Sequence, residues 1–415
     1  MKRPLIATLI VGFTVAAIIA ALHATGASLR LERPIAEFIS HHGGTTGFVG
    51  EKWQYFFVAL LSLGVAGFTL TSSRRGRAGW VVLALLIELL VFFWICLLYH
   101  LFFQPLPSLF AVVVAFIAAE RSVAIATRSR SVLAKSFFAG RLSGEQVDRV
   151  IAGELPLETE ARSYEATVVV CDIANKYDLA EDSNLAAFAE TTEKFIRRAT
   201  ELFLKAGGYI EAADGEGVVA IFGFPAGDAA HADKAVRVTL DLMQAFRDSG
   251  QNNGELSGNC DVHLGISSGT MIVAPLKGGP RPELLTSGEP VELARRFCVA
   301  NRFYGSRILI GPHTFELTSK EIVARPIDFL SGVNSQERHE IYEPLGLAAE
   351  AKPEHLERRD FFWNGVVLYR EKRWAEAYSE FQKARGPDAE NDAPLQLYLR
   401  RLEPLALHLM ETPSG

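Results

Sequence analysis

Two acidic side chains in this sequence stand where a carboxylate could do chemistry. Asp172 directly follows the β-branched, apolar run at 167–171, which predicts a buried strand whose end presents the carboxylate at a sheet edge. Glu88 lies inside a long apolar run, where an ionisable group is a functional candidate, such as a sensor of protons or of a ligand. A carboxyl that is neutral or hydrogen-bonded inside a helical bundle is the favoured alternative for Glu88.

Cysteine and histidine give no comparable site. The four cysteines are Cys96, Cys171, Cys260 and Cys298. They lack the spacing of a metal site or of a disulfide framework, which suits a soluble part in a reducing cytosol. His41 and His42 are adjacent imidazoles without further ligands, so we interpret them as polar loop residues rather than as a metal site.

Charge divides the chain into two unequal parts. Residues 1–135 contain 12 Lys and Arg against 5 Asp and Glu, whereas the whole chain has a net charge of −6. The basic part is also the apolar one, which indicates membrane flanks followed by an acidic soluble domain. This distribution offers no basic surface for DNA or RNA, so we expect no nucleic-acid partner.

Four apolar runs predict membrane-spanning helices, at about 5–23, 55–71, 80–101 and 106–119. We interpret the first run as a retained span rather than as a signal peptide. The fourth is short and ends at Glu120 and Arg121, so it is expected to tilt, to extend past its charges or to thin the bilayer. Lys and Arg flank the start of the first span, the second connection and the end of the fourth, which predicts that these sites are cytoplasmic.

The soluble part alternates strand and helix patterns. After a helical connector that ends near Gly153, the strand before Asp172 is followed by a helix at about 184–206. Residues 207–223 predict a tight hairpin that turns at Gly215-Glu216-Gly217. A second helix at about 229–249 precedes a strand at 262–267. This alternation predicts an α/β sandwich.

An ordered set of motifs in this part resembles the class III adenylate and guanylate cyclases. The set comprises Asp172-Ile173, Gly215-Glu216-Gly217, Phe222-Gly223-Phe224-Pro225, the helix at 231–237, Gly265-Ile266-Ser267-Ser268-Gly269 and 291–296. The resemblance covers about residues 160–345 and implies a ferredoxin-like α/β fold. It also implies closure of a nucleoside triphosphate to a cyclic nucleotide and pyrophosphate, at sites shared between two such domains.

The resemblance implies two divalent ions, Mg²⁺ or Mn²⁺, held by two carboxylates. Asp172 matches the first of these carboxylates. Glu216 stands where the family has Asp and is one methylene longer, and Mg²⁺ is sensitive to that difference because it demands tight octahedral distances. Asp214, two residues earlier, is a possible substitute ligand, and a turn aspartate is an equally weighted alternative.

Other positions depart from the family pattern. Ala212 and Leu285 align with the residues that read the base, and neither side chain can hydrogen-bond a purine edge. Glu292 stands where the family has the Asn that positions the ribose, and we expect Arg295 to pair with it. Arg296 matches the Arg that stabilises phosphate charge, with a helix-surface arginine paired to an acid as the alternative.

The C-terminal segment resembles one tetratricopeptide-like helical hairpin, at 361–381, followed by a final helix at 394–410. One such unit cannot bury both of its faces, so we expect it to pack on the preceding domain. The predicted domains are a transmembrane region at 1–122, a helical connector at 123–158, a cyclase-like domain at 159–346 and a C-terminal helical segment at 347–415.

Two function classes follow. The first is a cyclase of the plasma (inner) membrane with a cytoplasmic catalytic domain, acting on ATP, with GTP as the second candidate, as a homodimer or a heterodimer with another cyclase domain. The connector would then carry a signal by altering how two domains meet. The alternative is a catalytically impaired pseudo-cyclase that dimerises or senses nucleotide, which the substitutions Ala212, Leu285 and Glu292 favour. A channel or transporter has less support.

Overall fold

The computed structural model divides the chain into two compact units, Met1–Ser131 and Val132–Gly415. It describes residues 2–26, 30–34, 37, 47–48, 50–72, 75–157, 160–176, 180–181, 185–251, 261–276, 283–332 and 337–411. The predicted metal alternative at His41 and His42 lies outside these residues.

Within its described residues, the first unit contains four helices that are long and apolar enough to cross a membrane. They are α1 (Lys2–Ala24), α2 (Glu51–Thr71), α3 (Arg75–Leu98) and α4 (Pro105–Phe138), the last of which crosses the boundary between the units. The predicted helical membrane region is therefore confirmed. Of the three options for the fourth span, extension past its charges is observed, because α4 continues without a break through Glu120 and Arg121.

The interior of this unit contains a group of polar side chains that the sequence did not indicate. His23, Gln54 and Gln104 are buried, and the ring of His23 is hydrogen-bonded to the side chains of Tyr55 and Gln104. Glu88, in contrast, is exposed on α3. The interpretation of Glu88 as a carboxyl inside the bundle was therefore wrong for this unit.

The second unit is built on one mixed sheet with helices on both faces, as the α/β prediction required. Its strands are β1 (Arg162–Ile173), β2 (Tyr209–Asp214), β3 (Gly217–Phe222), β4 (Val262–Leu276), β5 (Glu283–Ser287), β6 (Ile308–Ile310), β7 (Ile322–Ser331) and β8 (Arg338–Leu347). The strand order is β2-β3-β1-β4-β6-β8-β7, with β5 paired to β4. Only the β4–β6 pair is parallel among these pairings.

The helices of this unit cover the sheet. They are α5 (Gly144–Ala152), α6 (Leu185–Lys205), α7 (His231–Gln251), α8 (Glu289–Tyr304), α9 (Pro312–Thr318), α10 (Pro353–Arg370), α11 (Trp374–Lys383) and α12 (Ala393–Glu411). Buried residues of α6 and α7 share one apolar cluster with Val169 and Cys171. Buried residues of α5 and α8 share another with Val168 and Val170. Alternate residues of β1 thus face opposite layers, which explains why its apolar run is continuous.

The three C-terminal helices pack on the sheet. Phe362, Phe381 and Tyr398 belong to one buried cluster with Phe297 of α8 and Ile327 of β7. The hydroxyl of Tyr398 also donates to the backbone carbonyl of Ile327. The single helical hairpin therefore buries its apolar face against the preceding domain, which is how one such unit can be stable without further repeats.

Candidate active site

The end of β1 fixes the position of Asp172. The strand is hydrogen-bonded along both edges, to β3 and to β4, so its direction is set by two neighbours. Oδ1 of Asp172 accepts the backbone N–H of Ile173 at 2.8 Å, and 27% of the side chain is exposed. The carboxylate is thus held at the sheet edge with one face turned to solvent.

A glycine brings the β2–β3 turn against the end of β1. Gly217 has a φ of +114°, and a Cβ atom there would lie 2.2 Å from the carbonyl oxygen of Cys171. Any larger residue would push the turn away from the strand. This close approach places Glu216, the residue before Gly217, beside Asp172.

Lys176 joins the two predicted metal ligands. Its ammonium nitrogen lies 3.3 Å from Oδ2 of Asp172 and 3.3 Å from Oε2 of Glu216. The Lys176 side chain is only 16% exposed, whereas that of Glu216 is 84% exposed. The structure therefore brings Asp172 and Glu216 together, with a partly buried ammonium between them.

The charges of this group act on one another. Burial raises the pKa of the Asp172 carboxyl, and the charge of Glu216 adds to the rise, while Lys176 and the N–H of Ile173 oppose it. Burial alone would lower the pKa of Lys176, but the two carboxylates outweigh it and raise that pKa. Lys176 therefore favours the ionised form of Asp172, and the two carboxylates favour the ionised form of Lys176.

Asp214 takes part in the turn itself. Its Oδ1 accepts the backbone N–H of Glu216 at 2.9 Å, which is the contact that an aspartate commonly makes two residues ahead in a turn. Asp214 lines the same small cavity as Asp172 and Lys176. Its use as a substitute ligand stays a prediction.

Arg296 and Glu292 form a second group. Nε of Arg296 donates to Oε1 of Glu292 at 3.1 Å, and Nη1 donates to the carbonyl of Gly332 at 2.7 Å. The expected partner of Glu292, Arg295, instead lies 3.7 Å from Glu211. That expectation was wrong, because the four-residue spacing of Glu292 and Arg296 aligns them on one face of α8.

The two groups are separate in this single chain. No hydrogen bond or ion pair joins Asp172 or Glu216 to Arg296 among the residues that the structure describes. The side chain of Arg296 is 40% exposed, so a second molecule can reach its guanidinium.

The predicted base-reading positions are apolar and are set beside polar neighbours. Ala212 packs against the core on β2, and Leu285 is 53% exposed on β5. An irregular register between Ile210 and Ala212 marks a bulge at Glu211, which re-aims that side chain. Glu211 accepts a hydrogen bond from Thr286 at 3.4 Å, so the polar contact here lies one residue away from each predicted position.

The residues present do not fit a divalent ion while Lys176 stays in place. Mg²⁺ binds oxygen at about 2.0–2.1 Å and carries water ligands as well. Here the two carboxylates are spaced by an ammonium, and the cavity lined by Asp172, Lys176 and Asp214 has a volume of about 10 Å³. That volume is about one water molecule.

Comparison with known proteins bears on the same part of the chain. No family model matches the chain. The chain is 26% identical over 277 residues to the terminal-differentiation-specific adenylate cyclase of Dictyostelium discoideum, across 62% of this chain and 13% of that protein. It is 22% identical over 186 residues to adenylate cyclase 1 of Rhizobium meliloti (strain 1021), across 44% of this chain and 28% of that protein.

The resemblance to class III nucleotide cyclases is confirmed. The chain spans less than a third of the length of either curated relative. Solved structures similar to the cyclase-like domain include the adenylyl cyclase CyaB from P. aeruginosa, with 22% identity, a TM-score of 0.40 and coverage of 47% of this chain and 98% of that one. Another is the guanylate cyclase domain of RhGC from Catenaria anguillulae in complex with GTP, with 20% identity, a TM-score of 0.39 and coverage of 45% and 99%.

Sequence reasoning missed Lys176 and Glu211. Lys176 follows Asp172 by four residues, a spacing that brings opposite charges together in a helix but predicts nothing once a strand has ended. Its contact with Glu216 spans 40 residues and depends on the turn at Gly217. The bulge at Glu211 has no local sequence signal, since β-bulges are set by the pairing of two strands.

Proposed function

We propose that this chain is a membrane-anchored class III nucleotidyl cyclase that converts ATP to cyclic AMP and pyrophosphate. The observation that carries the proposal is the convergence of Asp172 and Glu216, which lie within 3.3 Å of one ammonium at one sheet edge. Similarity to two adenylate cyclases supports it, and four apolar helices supply the anchor.

The chemistry needs few groups from the protein. The 3′-hydroxyl oxygen of the ribose attacks the α-phosphorus and forms a new O–P bond, while its proton passes to solvent. The bond from the α-phosphorus to the oxygen bridging it to the β-phosphorus breaks, and pyrophosphate leaves with the electrons of that bond. Arg296 is suited to the charge that develops on phosphorus, since a guanidinium offers several donors to phosphate oxygens. To do so it must exchange its contacts with Glu292 and Gly332 for the nucleotide.

A second chain completes the site in this proposal. Arg296 makes its contacts apart from the acidic pair, and its side chain is 40% exposed, so after exchanging those contacts it could approach the Asp172 of a twin subunit. A homodimer would then have two equivalent sites, because a two-fold axis presents the same surface of each chain to the other. A heterodimer with another cyclase domain would have one site and new base-reading residues.

The purine is the least constrained part of the substrate. Ala212 and Leu285 offer no hydrogen bond to the base, so discrimination between ATP and GTP would be weak. We place ATP first because both curated relatives are named adenylate cyclases. Two divalent ions, Mg²⁺ or Mn²⁺, belong to the same proposal. Lys176 occupies the space between their expected ligands in this structure.

The location follows from charge. The basic residues at the start of α1, between α2 and α3 and after the apolar part of α4 favour a cytoplasmic cyclase-like domain at the plasma (inner) membrane.

A pseudo-cyclase is the second candidate, and Lys176 is the observation that favours it. An ammonium that permanently replaced the ions would leave a domain able to dimerise or to sense nucleotide without turnover. Ala212, Leu285 and Glu292 point the same way.

Product formation separates the two candidates. Purified full-length protein in detergent or nanodiscs is incubated with ATP or GTP and with Mg²⁺ or Mn²⁺, and cyclic product is measured by chromatography and mass spectrometry. The cyclase proposal expects product from the wild type and at least about a hundredfold less from Asp172→Asn. Equal product from both proteins would identify a contaminating cyclase, and none from either would favour the pseudo-cyclase.

A further inference from the structure

Lys176 is placed to act on both acids at once. It lies just beyond β1, and its side chain turns back to Asp172 while also meeting Glu216 on the β2–β3 turn. The two nitrogen–oxygen distances are equal, at 3.3 Å. The Lys176 side chain is 16% exposed, so it is partly buried beside the two acids.

This position coincides with the one where a cation is required. Two carboxylates that converge without a cation repel each other, and the repulsion grows as water is excluded. One ammonium within reach of both offsets that repulsion in a protein that holds no ion. The ammonium and a divalent ion would compete for the same carboxylate oxygens, because each needs those atoms as close neighbours.

The ammonium is also able to leave. Glu216 is 84% exposed and belongs to a turn, so its contact with Lys176 is an exposed ion pair of small net free energy. The side chain of lysine is a flexible four-carbon stem that carries a compact ammonium, and water hydrates this ammonium strongly. Displacement therefore exchanges the contacts with Asp172 and Glu216 for water.

We propose that Lys176 is a built-in competitor of the divalent ion: its ammonium holds Asp172 and Glu216 together in the ion-free protein and must swing out before an ion binds. This inference rests on the proposed function, since it takes Asp172 and Glu216 as the ion ligands. It makes the apparent affinity of the site for a divalent ion weaker, because the ion must displace a positive charge in order to bind.

Binding of Mn²⁺ to the nucleotide-free protein tests the competition directly. Free Mn²⁺ is measured by electron paramagnetic resonance during titration of the full-length protein, for the wild type, Lys176→Met and Lys176→Gln. We expect Mn²⁺ to bind at least about tenfold more tightly to both variants than to the wild type, since each removes a positive charge from beside the ligands. Lys176→Gln keeps hydrogen-bonding capacity and so guards against a folding defect of Lys176→Met.

Two controls identify the site. Lys234→Met removes an exposed lysine that pairs with Asp228 at 2.6 Å, and should leave Mn²⁺ affinity unchanged. Adding Asp172→Asn to Lys176→Gln should abolish the gain. Tight binding to the wild type, equal to that of the Lys176 variants, would overturn the competition while leaving the ion site intact.

Other outcomes separate this inference from the proposed function. Absence of Mn²⁺ binding to all variants would overturn both the competition and the ion site. The expected gain in affinity, with no cyclic product from the wild type or from Lys176→Gln, would support the competition and contradict the cyclase activity.

Discussion

Replacement of Arg325 tests whether the C-terminal helices belong to the same cooperative fold as the sheet. Arg325 on β7 is 7% exposed, and its guanidinium binds Glu343 on β8 and Asp392 before α12. Its nearest contacts to the two carboxylates are both 2.7 Å. The side chain therefore ties three elements together from the interior.

The magnitude follows from burial. Removing one partner of a buried ion pair costs about 3–5 kcal/mol, because the remaining charges stay desolvated without compensation. Arg325→Ala removes the ion-pair partner that Glu343 and Asp392 share. It also removes the packing of the guanidinium 4.5 Å above the ring of Phe362. At about 2–4 °C per kcal/mol for domains of this size, the unfolding temperature should fall by roughly 6–20 °C.

Thermal unfolding of the purified full-length protein, followed by tryptophan fluorescence, measures the effect. Arg237→Ala is the matched control, since it breaks an ion pair with Glu321 in which both side chains are nearly half exposed. Such a pair contributes about 0–1 kcal/mol, so the control should shift the transition by a few degrees at most. Equal shifts for the two variants would refute the reasoning from burial.

Two further predictions concern the sheet. Gly217→Ala should destabilise the cyclase-like domain by more than about 2 kcal/mol, because a Cβ there meets the carbonyl oxygen of Cys171 at a positive φ. Gly215→Ala is the control and should not destabilise it, because a Cβ there has nothing within 4 Å; equal melting temperatures for the two variants would contradict this. His231 is buried and bound to Thr167 at 2.6 Å, and burial lowers its pKa. The contribution of neutral His231 to stability is therefore present above about pH 6.5 and lost as the pH falls below that value. His231→Asn should flatten the drop in melting temperature between about pH 7 and pH 5.5. An unchanged drop would mean that protonation of His231 is not its cause.

Patterns within one element were sufficient to predict most of the fold. The β-branched run before Asp172, the glycine-rich hairpin and the long apolar runs each predicted an element that the structure contains. The fourth span was predicted to end where its apolar run meets the first charge. The backbone hydrogen bonding of α4 continues past that charge, so the helix is longer than the predicted span.

Contacts between distant elements were not accessible to the same reasoning. The pairing of Arg325 with Asp392 joins residues 67 apart, and that of Lys176 with Glu216 joins residues 40 apart. Neither contact can be predicted from the periodicity of residues within one helix or strand. The partner of Glu292 was different, because spacings of three and four residues both align side chains on one helix face, and Arg295 pairs instead with the distant Glu211.

Mixing two inactive chains tests the composite site most directly. Asp172→Asn and Arg296→Ala are co-expressed with different tags, and dimers carrying both tags are purified and assayed for cyclic product. Each purified mixed dimer should contain one intact site of two, so it should recover roughly half of the wild-type activity, while each variant alone stays inactive. If the mixed dimers stay as inactive as the single variants while the wild type turns over, the acids and the arginine do not meet across two chains.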